Sequence, residues 1–350
     1  MKIEVIESYE GQEQLHKEWD ELEARGNVPG VFLTWDWQSI WWRHFGAGAA
    51  LRLVLMRDEA GKLRAVAPLY IFTGSPSDNE TDRAPSGNGG QRIMRIGGGV
   101  DVSDYLDILS VPDDAPAAWQ TLGGWLKQHT AEWDILDLHS IPQHSATRSL
   151  ACDWAKSAGY QCSEQIDEVC PVIDLPSDRN FATYLASLSK KQRHELRRKL
   201  RRFEAQFPDY KYYTTDCAEC KNGLTDFYAL HRASAGTKQQ FMDDEMAQFF
   251  TDMVDALTDH SWIRLSFLEI EGKRVASYLS FDYNRKIYLY NSGYDPAYRD
   301  YSVGVVLLTH FIREAIESGH TRFDFLRGSE RYKYDLGGQN TEVFNIRIQL

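Results

Sequence analysis

The chain has 350 residues, 43% of them hydrophobic and 26% charged, with a formal net charge of -12. It is long for a single core and too apolar for disorder, so two globular domains are expected. The negative balance argues against general affinity for DNA or an anionic membrane, because polyanions need a cationic surface. Nothing approaches the ~18 consecutive apolar residues of a membrane span, and Met1-Lys-Ile-Glu-Val-Ile-Glu lacks the apolar run of an export signal. A cytoplasmic setting is therefore expected, and the scattered Cys152, Cys162, Cys170, Cys217 and Cys220 fit reduced thiols there.

In chain order, residues 51–72 read as strand, Gly-Lys turn, strand. Apolar residues alternate, and a Gly sits where a hairpin needs positive φ. Residues 73–91 are rich in Ser, Gly, Asp and Asn and read as a mobile insertion loop. A short strand at 92–96, a Gly-rich loop, a helix at about 114–129 and a strand at 133–139 follow. The segment Asp174-Leu-Pro-Ser-Asp178 marks a boundary: 1–168 is expected to form one domain and 169–350 a second. The second half repeats the first. Residues 263–283 read as a hairpin with Gly272 at its turn. A strand at 286–291, a loop at 292–302, a helix at 303–318 and a strand at 321–326 come next. Hairpin plus β-α-β in both halves predicts an α/β (α+β) fold of two mixed sheets flanked by helices, and a duplication.

Between the halves lies a basic helix, 189–207. Eight of the thirteen residues from Lys190 to Arg202 are Lys or Arg, and Leu185, Leu188, Leu196, Leu200, Phe203 and Phe207 form an apolar stripe. Ser189 and Gln192 can form a capping box, and Pro208 marks the exit. The cationic face can be a solvated surface paired with acidic residues elsewhere, an anion site for donor phosphates, or a dock for RNA or an acidic carrier protein. Cys217-Ala-Glu-Cys220 has no second ligand pair at zinc spacing, so no metal site is expected.

Acyl transfer from a thioester needs free helix-terminal amides for phosphate, an open strand edge for pantetheine, a donor to the acyl oxygen and a base for the amine. The unit from Lys286 to Tyr334 offers such parts. The loop from Asn291 leads through Arg299-Asp-Tyr-Ser302-Val-Gly304 into a helix that Ser302 can cap and whose backbone Gly304 exposes. After it, Phe323-Asp-Phe-Leu326 runs into Arg327-Gly-Ser-Glu-Arg-Tyr-Lys333-Tyr, dense in polar groups at a sheet end. Asp324 alternates with two Phe; Lys333, between two Tyr, can place a cation by a carbonyl or be an ordinary surface lysine. His231 is a candidate base on a helix, or a structural histidine. Asp104 and Asp107 can bind an acceptor amine or simply cap a turn.

These residues resemble the CelD/BioF2-like acetyltransferases of the GNAT superfamily, relatives of the FemAB peptidyltransferases. The resemblance spans Val31-Phe-Leu-Thr-Trp-Asp-Trp37 with Trp41-Trp42, Ser103 to Ile108, the arginine-rich Arg193 to Arg202, and Phe323-Asp-Phe-Leu-Arg-Gly-Ser-Glu-Arg-Tyr-Lys333. That last run is similar to the family's D-F-x-x-G-x-E-x-Y-K. It implies tandem GNAT folds, with 1–168 on the acceptor side and the donor site in 169–350. Arg299, Ser302, Val303 and Gly304 lie in the phosphate loop, where Ser302 stands at the first Gly of R/Q-x-x-G-x-G/A, and Asn291 lies on the strand before it. The resemblance further implies an N-acyltransferase with acyl-CoA or an acyl carrier protein as co-substrate and no permanently bound cofactor. Lys333 would stabilise carbonyl charge, Tyr332 would protonate the leaving thiolate, and His231, Asp324 or Glu330 would be the base. Asp104, Tyr105, Trp37 and Arg197 would meet a small-molecule or sugar amine between the domains. The alternatives are charged tRNA as donor, bound through the basic helix, and a non-catalytic protein of exopolysaccharide or cellulose assembly.

Overall fold

The computed structural model describes residues 1–26, 30–74, 90–99, 101–215, 217–234 and 241–350. Most of the expected insertion loop, 75–89, lies outside the described residues. The chain divides into two compact units, Met1–Val169 with Thr341–Leu350, and Cys170–Asn340. The first carries β1 (Lys2–Ile6), α1 (Glu13–Glu23), α2 (Trp35–Phe45), β2 (Ala50–Arg57), β3 (Leu63–Gly74), β4 (Gln91–Ile96), β5 (Leu109–Ser110), α3 (Ala115–Gln128), β6 (Ile135–Pro142) and α4 (Thr147–Ala158). Strand β7 (Gln161–Asp174) passes from the first unit into the second. There follow α5 (Phe181–Ser187), α6 (Lys190–Gln206), β8 (Lys211–Thr214), α7 (Cys217–Ala233), α8 (Asp244–Asp259), β9 (Ile263–Ile270), β10 (Lys273–Tyr283), β11 (Lys286–Tyr294), α9 (Val303–Glu317), β12 (Arg322–Asp324) and α10 (Arg331–Asp335). Strand β13 (Gln339–Gln349) returns the chain to the first unit.

The repeat read from the sequence is present in the pairing. The first unit runs β1-β2-β3-β4-β6-β13, antiparallel throughout except for parallel β4 and β6. The second runs β8-β9-β10-β11-β12-β7, antiparallel except for parallel β11 and β12. A parallel pair needs a crossover, and α3 and α9 supply it. The turn between β9 and β10 is Glu271-Gly272, both at positive φ (51° and 78°), as a two-residue hairpin requires. Strands β3 and β10 are buried at nearly every position, as strands covered on both faces are.

Five fully buried indoles, Trp19, Trp37, Trp41, Trp119 and Trp133, fill the first unit's core. Among them sits an ion pair: Arg95 and Asp137, each 2% exposed, meet at 2.8 Å across the parallel β4–β6 pair. Burial alone would raise the Asp137 carboxyl. Arg95, His139, Arg347 and the Asn345 amide outweigh it and hold the carboxyl below its ordinary range. The cysteines depart from expectation. Cys152 in α4 and Cys162 in β7 form a disulfide, with Cα atoms 5.6 Å apart, because the tight turn after α4 at Gly159 (φ 84°) brings strand back onto helix. Cys170 and Cys220 are buried, and the side chain of Cys217 lies outside what is described.

Replacing Asp137 by Asn should destabilise the protein by about 3–5 kcal/mol in urea titration, because a buried guanidinium loses its counter-charge. A carboxyl held low contributes stability above the unfolded carboxylate range, and that contribution falls away as pH drops through the folded value. The wild-type acid limb should therefore be steeper than that of Asp137→Asn, and superimposable limbs would contradict this pairing.

Candidate functional site

The second unit's site starts from a short strand. β12 pairs with β11 over three residues only, Lys286–Arg322, Ile287–Phe323 and Tyr288–Asp324. It then turns away: the Phe325 N–H bonds to Pro171 O, and Leu326 adopts a left-handed backbone (φ 56°). Asp324, 3% exposed, accepts the Leu326 N–H at 2.8 Å and holds that turn. Asp324 is thus a buried turn residue, not one on a solvent face.

β11 continues alone, paired with β10 up to Ala276–Tyr294. A register shift between Leu279 and Ser280 gives β11 one extra residue there, which bends it where the partner leaves. The edge at Leu289–Tyr294 is no longer covered by β12. Asn291 Oδ1 accepts the Ser292 N–H at 3.1 Å. At the far end, Ser234 Oγ accepts the Tyr294 N–H at 2.8 Å and lies 3.3 Å from its carbonyl. Gly293 lets α7 close on this edge: a Cβ there would stand 2.4 Å from the backbone nitrogen of His231. His231 itself is 1% exposed, between the rings of Phe227 and Phe241.

Next comes the helix start. Asp295 caps a short 3₁₀ turn, Pro296–Tyr301, and is held below its ordinary range by hydrogen bonding to Lys273 at 2.6 Å. Ser302 then sits at φ 57°, ψ 38° and makes no side-chain cap hydrogen bond. The expected cap is not formed, because a capping side chain needs extended backbone and this residue is left-handed. It occupies a conformation that glycine adopts without cost. Val306 is the first amide of α9 to bond within the helix, to Ser302 O at 3.1 Å. The amides of Val303, Gly304 and Val305 therefore have no acceptor among the described residues. Val303 is buried, so only its backbone is available. A Cβ at Gly304 would meet only the Tyr278 hydroxyl, at 3.5 Å; that hydroxyl donates to Gly304 O at 3.1 Å. Arg299 is exposed beside this turn.

Lys333 differs from expectation. It is 2% exposed, and its ammonium donates to the carbonyls of Leu326 (3.1 Å), Arg327 (2.6 Å) and Gly328 (3.0 Å), with Glu330 at 2.9 Å. Three protons serve four acceptors, so none is left for an acyl oxygen in this arrangement. It is neither a surface lysine nor a lone cation: it clamps the turn that ends β12. Tyr332 is half-buried; burial, then Tyr278 and Glu330, push its hydroxyl well up. Gly304, Tyr278, Tyr332 and Glu330 thus come together.

Beside them runs α6, with the capping box formed as predicted: Ser189 N–H to Gln192 Oε1 at 2.8 Å, and Gln192 N–H to Ser189 Oγ at 3.3 Å. Leu196 and Phe203 enter the core, and Phe207 packs edge-on against Tyr301 at 4.8 Å, which ties α6 to the loop before α9. Of the eight cations from Lys190 to Arg202, only Arg198 has an ion pair among the described residues, with Glu195 of the same helix. Among the described residues the cationic face is thus not paired with acidic residues elsewhere. Instead α6 lines a cavity of about 1480 Å³ together with Val305 of α9 and Tyr332 and Leu336 near α10.

The remaining candidates lie in the first unit. Trp37 is fully buried and its indole N–H donates to Ser103 Oγ at 2.8 Å, which removes the ring from substrate contact. Asp104 and Tyr105 are buried at 8% and 6% exposure. No group of three or more metal-ligating side chains occurs, and no helix is long and apolar enough to cross a membrane, among the described residues. Sequence reasoning passed over Tyr278, Ser234 and Gly293; only the alternation of β10 hints at Tyr278, and nothing local marks the other two.

No curated protein matches the chain. Among solved structures, FemX aligns over 99% of this chain and 97% of its own, with a TM-score of 0.66 at 13% identity. A conserved protein of unknown function from Bacteroides thetaiotaomicron VPI-5482 aligns over 100% of both chains, with a TM-score of 0.60 at 11% identity. At such identities the likeness is one of fold. Residues 190–334 match the family described as acetyltransferase (GNAT) domain. That stretch contains the splayed strands, the open helix start and the Lys333 clamp, so it is over residues 190–334 that the chain is similar to a GNAT-type acetyltransferase domain.

Proposed function

We infer that the protein is an N-acyltransferase whose donor is a thioester of phosphopantetheine, the arm common to acyl-CoA and acyl carrier proteins. The observation that carries this reading is a pair of backbone surfaces: the stretch of β11 from Leu289 that β12 leaves, where Asn291 and Ser234 already take the Ser292 and Tyr294 amides, and the amides of Val303 to Val305 beneath Gly304. Phosphate at a helix start with three free N–H groups is favoured by hydrogen bonding and by the helix dipole. An extended amide-bearing arm adds to an open strand edge. Cofactor contacts then fall on Asn291, the backbone of Val303 and Gly304, and Arg299.

The acceptor amine would attack the thioester carbonyl, forming the C–N bond as the C–S bond breaks. The amine loses a proton to a base and the thiolate gains one. Tyr332 keeps its proton at neutral pH and suits the role of donor to the thiolate. Glu330, whose side chain is 57% exposed beside it, suits the role of base. Lys333 is assigned to positioning, because its protons are already shared. His231 lies behind Gly293 and is assigned to holding the strand edge. The amine's identity is left open.

Two variants test this. Gly304→Asp adds a side chain into open space and an acid to a first helical turn, worth about 0.3–1 kcal/mol of helix stabilisation. Its Tm should hold or rise, while acyl-CoA affinity by titration calorimetry should fall at least tenfold. Equal affinity in variant and wild type, or no wild-type binding to any pantetheine thioester, would overturn the reading. Lys333→Met should lose about 2–4 kcal/mol of stability, because buried carbonyls lose a charged donor. A variant as stable as wild type yet inactive would return Lys333 to the chemistry.

A further inference from the structure

The groove along α6 is not needed to hold a pantetheine arm. We propose that it docks an acidic, amphipathic helix of the protein domain that carries the acyl group on its phosphopantetheine, so that the donor is a carrier protein rather than a free nucleotide thioester. This rests on the donor reading above and names the donor's other end.

Three features of the groove point to that partner. Its rim is cationic and unpaired: Lys190, Arg193, Arg197 and Arg201 follow at helical spacings of three to four, and none has a carboxylate partner among the described residues. Like charges so close on one helix are mutually unfavourable, so an anionic partner lowers their energy. Its floor is apolar, made by Leu200 and Val305. A floor of aliphatic side chains beneath a charged rim matches a helix with one apolar and one acidic face. Finally, α6 has 17 residues, about 25 Å at 1.5 Å per residue, a length suited to lie along one partner helix.

The same features fit nucleic acid less well. The cations form one strip on a chain of net charge -12, whereas a polynucleotide tracks a broad positive surface. Carboxylates of Glu195, Glu204 and Asp335 line the same groove and would face phosphates; on a protein partner they meet its Lys or Arg. A single tyrosine, Tyr332, lines it, which makes no platform for stacked bases. Val305 joins the groove to the open amides of α9, so a partner seated on α6 presents its arm at the helix start.

The test compares four probes against the full chain by fluorescence anisotropy: a type II acyl carrier protein without its arm, the same protein acylated, acyl-CoA, and an RNA duplex. The arm-free carrier is expected to bind, and to weaken at least tenfold when NaCl is raised from about 50 to 300 mM. The double variant Lys190→Glu/Arg201→Glu is expected to weaken carrier binding at least tenfold and acyl-CoA binding no more than threefold. Gly304→Asp is expected to do the reverse, sparing arm-free carrier while weakening acyl-CoA. Equal loss of carrier and acyl-CoA in the double variant would place nucleotide phosphates in the groove and overturn the proposal. Binding of RNA but not of carrier would also overturn it. Carrier docking that persists when no thioester binds would sink the acyltransferase reading and leave the docking surface standing.

Discussion

A parallel strand pair that lasts three residues governs the second unit of this protein. β12 needs a partner for its backbone as it leaves β11, and it finds one in Pro171 O for Phe325 N–H. The turn that follows places Leu326 in a left-handed conformation that costs a non-glycine residue about 1 kcal/mol or more. Asp324 and Lys333 hold it there, one by accepting an amide and the other by collecting three carbonyls. With β12 turned away, β11 loses that strand neighbour from Leu289 onward, and α7 closes on it only at Gly293. The chain then passes through a second left-handed residue, Ser302, into α9 with three amides unfilled.

Much of this was legible as pattern. The two hairpins, the crossover helices and the basic helix with its capping box follow from alternation, helical spacing and residues three apart. These are short-range signals that survive in any tertiary context. The D-F-x-x-G-x-E-x-Y-K run falls on the turn that ends β12 and on the Lys333 clamp. What could not be read was orientation. Ser302 looks like a helix cap, and only the backbone angle shows that it stands in a glycine-like conformation instead. Lys333 looks like a reactive cation because its partners are main-chain carbonyls, which no side-chain pattern announces. Trp37 looks like a cleft aromatic, yet its indole N–H finds Ser103, 66 positions along the chain. Cys152 and Cys162 meet because Gly159 reverses the chain, a pairing that counting cysteines does not reveal.

Charge distribution would separate two contacts of the proposed donor. In the proposed site the phosphate would rely on backbone dipoles, which are oriented by the fold and need no lysine. The carrier domain beyond the phosphate would rely on α6, seven of whose eight cations have no carboxylate partner among the described residues although the chain holds 51 acidic residues against 39 basic ones. Local concentration of one sign on a chain of the other sign favours selective docking over general adhesion. Phe207 against Tyr301 couples the two, since it ties the basic helix to the turn that presents the amides.

Backbone hydrogen exchange with and without acyl-CoA measures the central claim most directly, because both proposed contacts are made by main-chain amides. Occupancy should slow exchange at Val303, Gly304 and Val305 and along residues 289–294. Unchanged exchange at those amides under saturating ligand, with protection confined to other segments, would contradict a donor held at the strand splay.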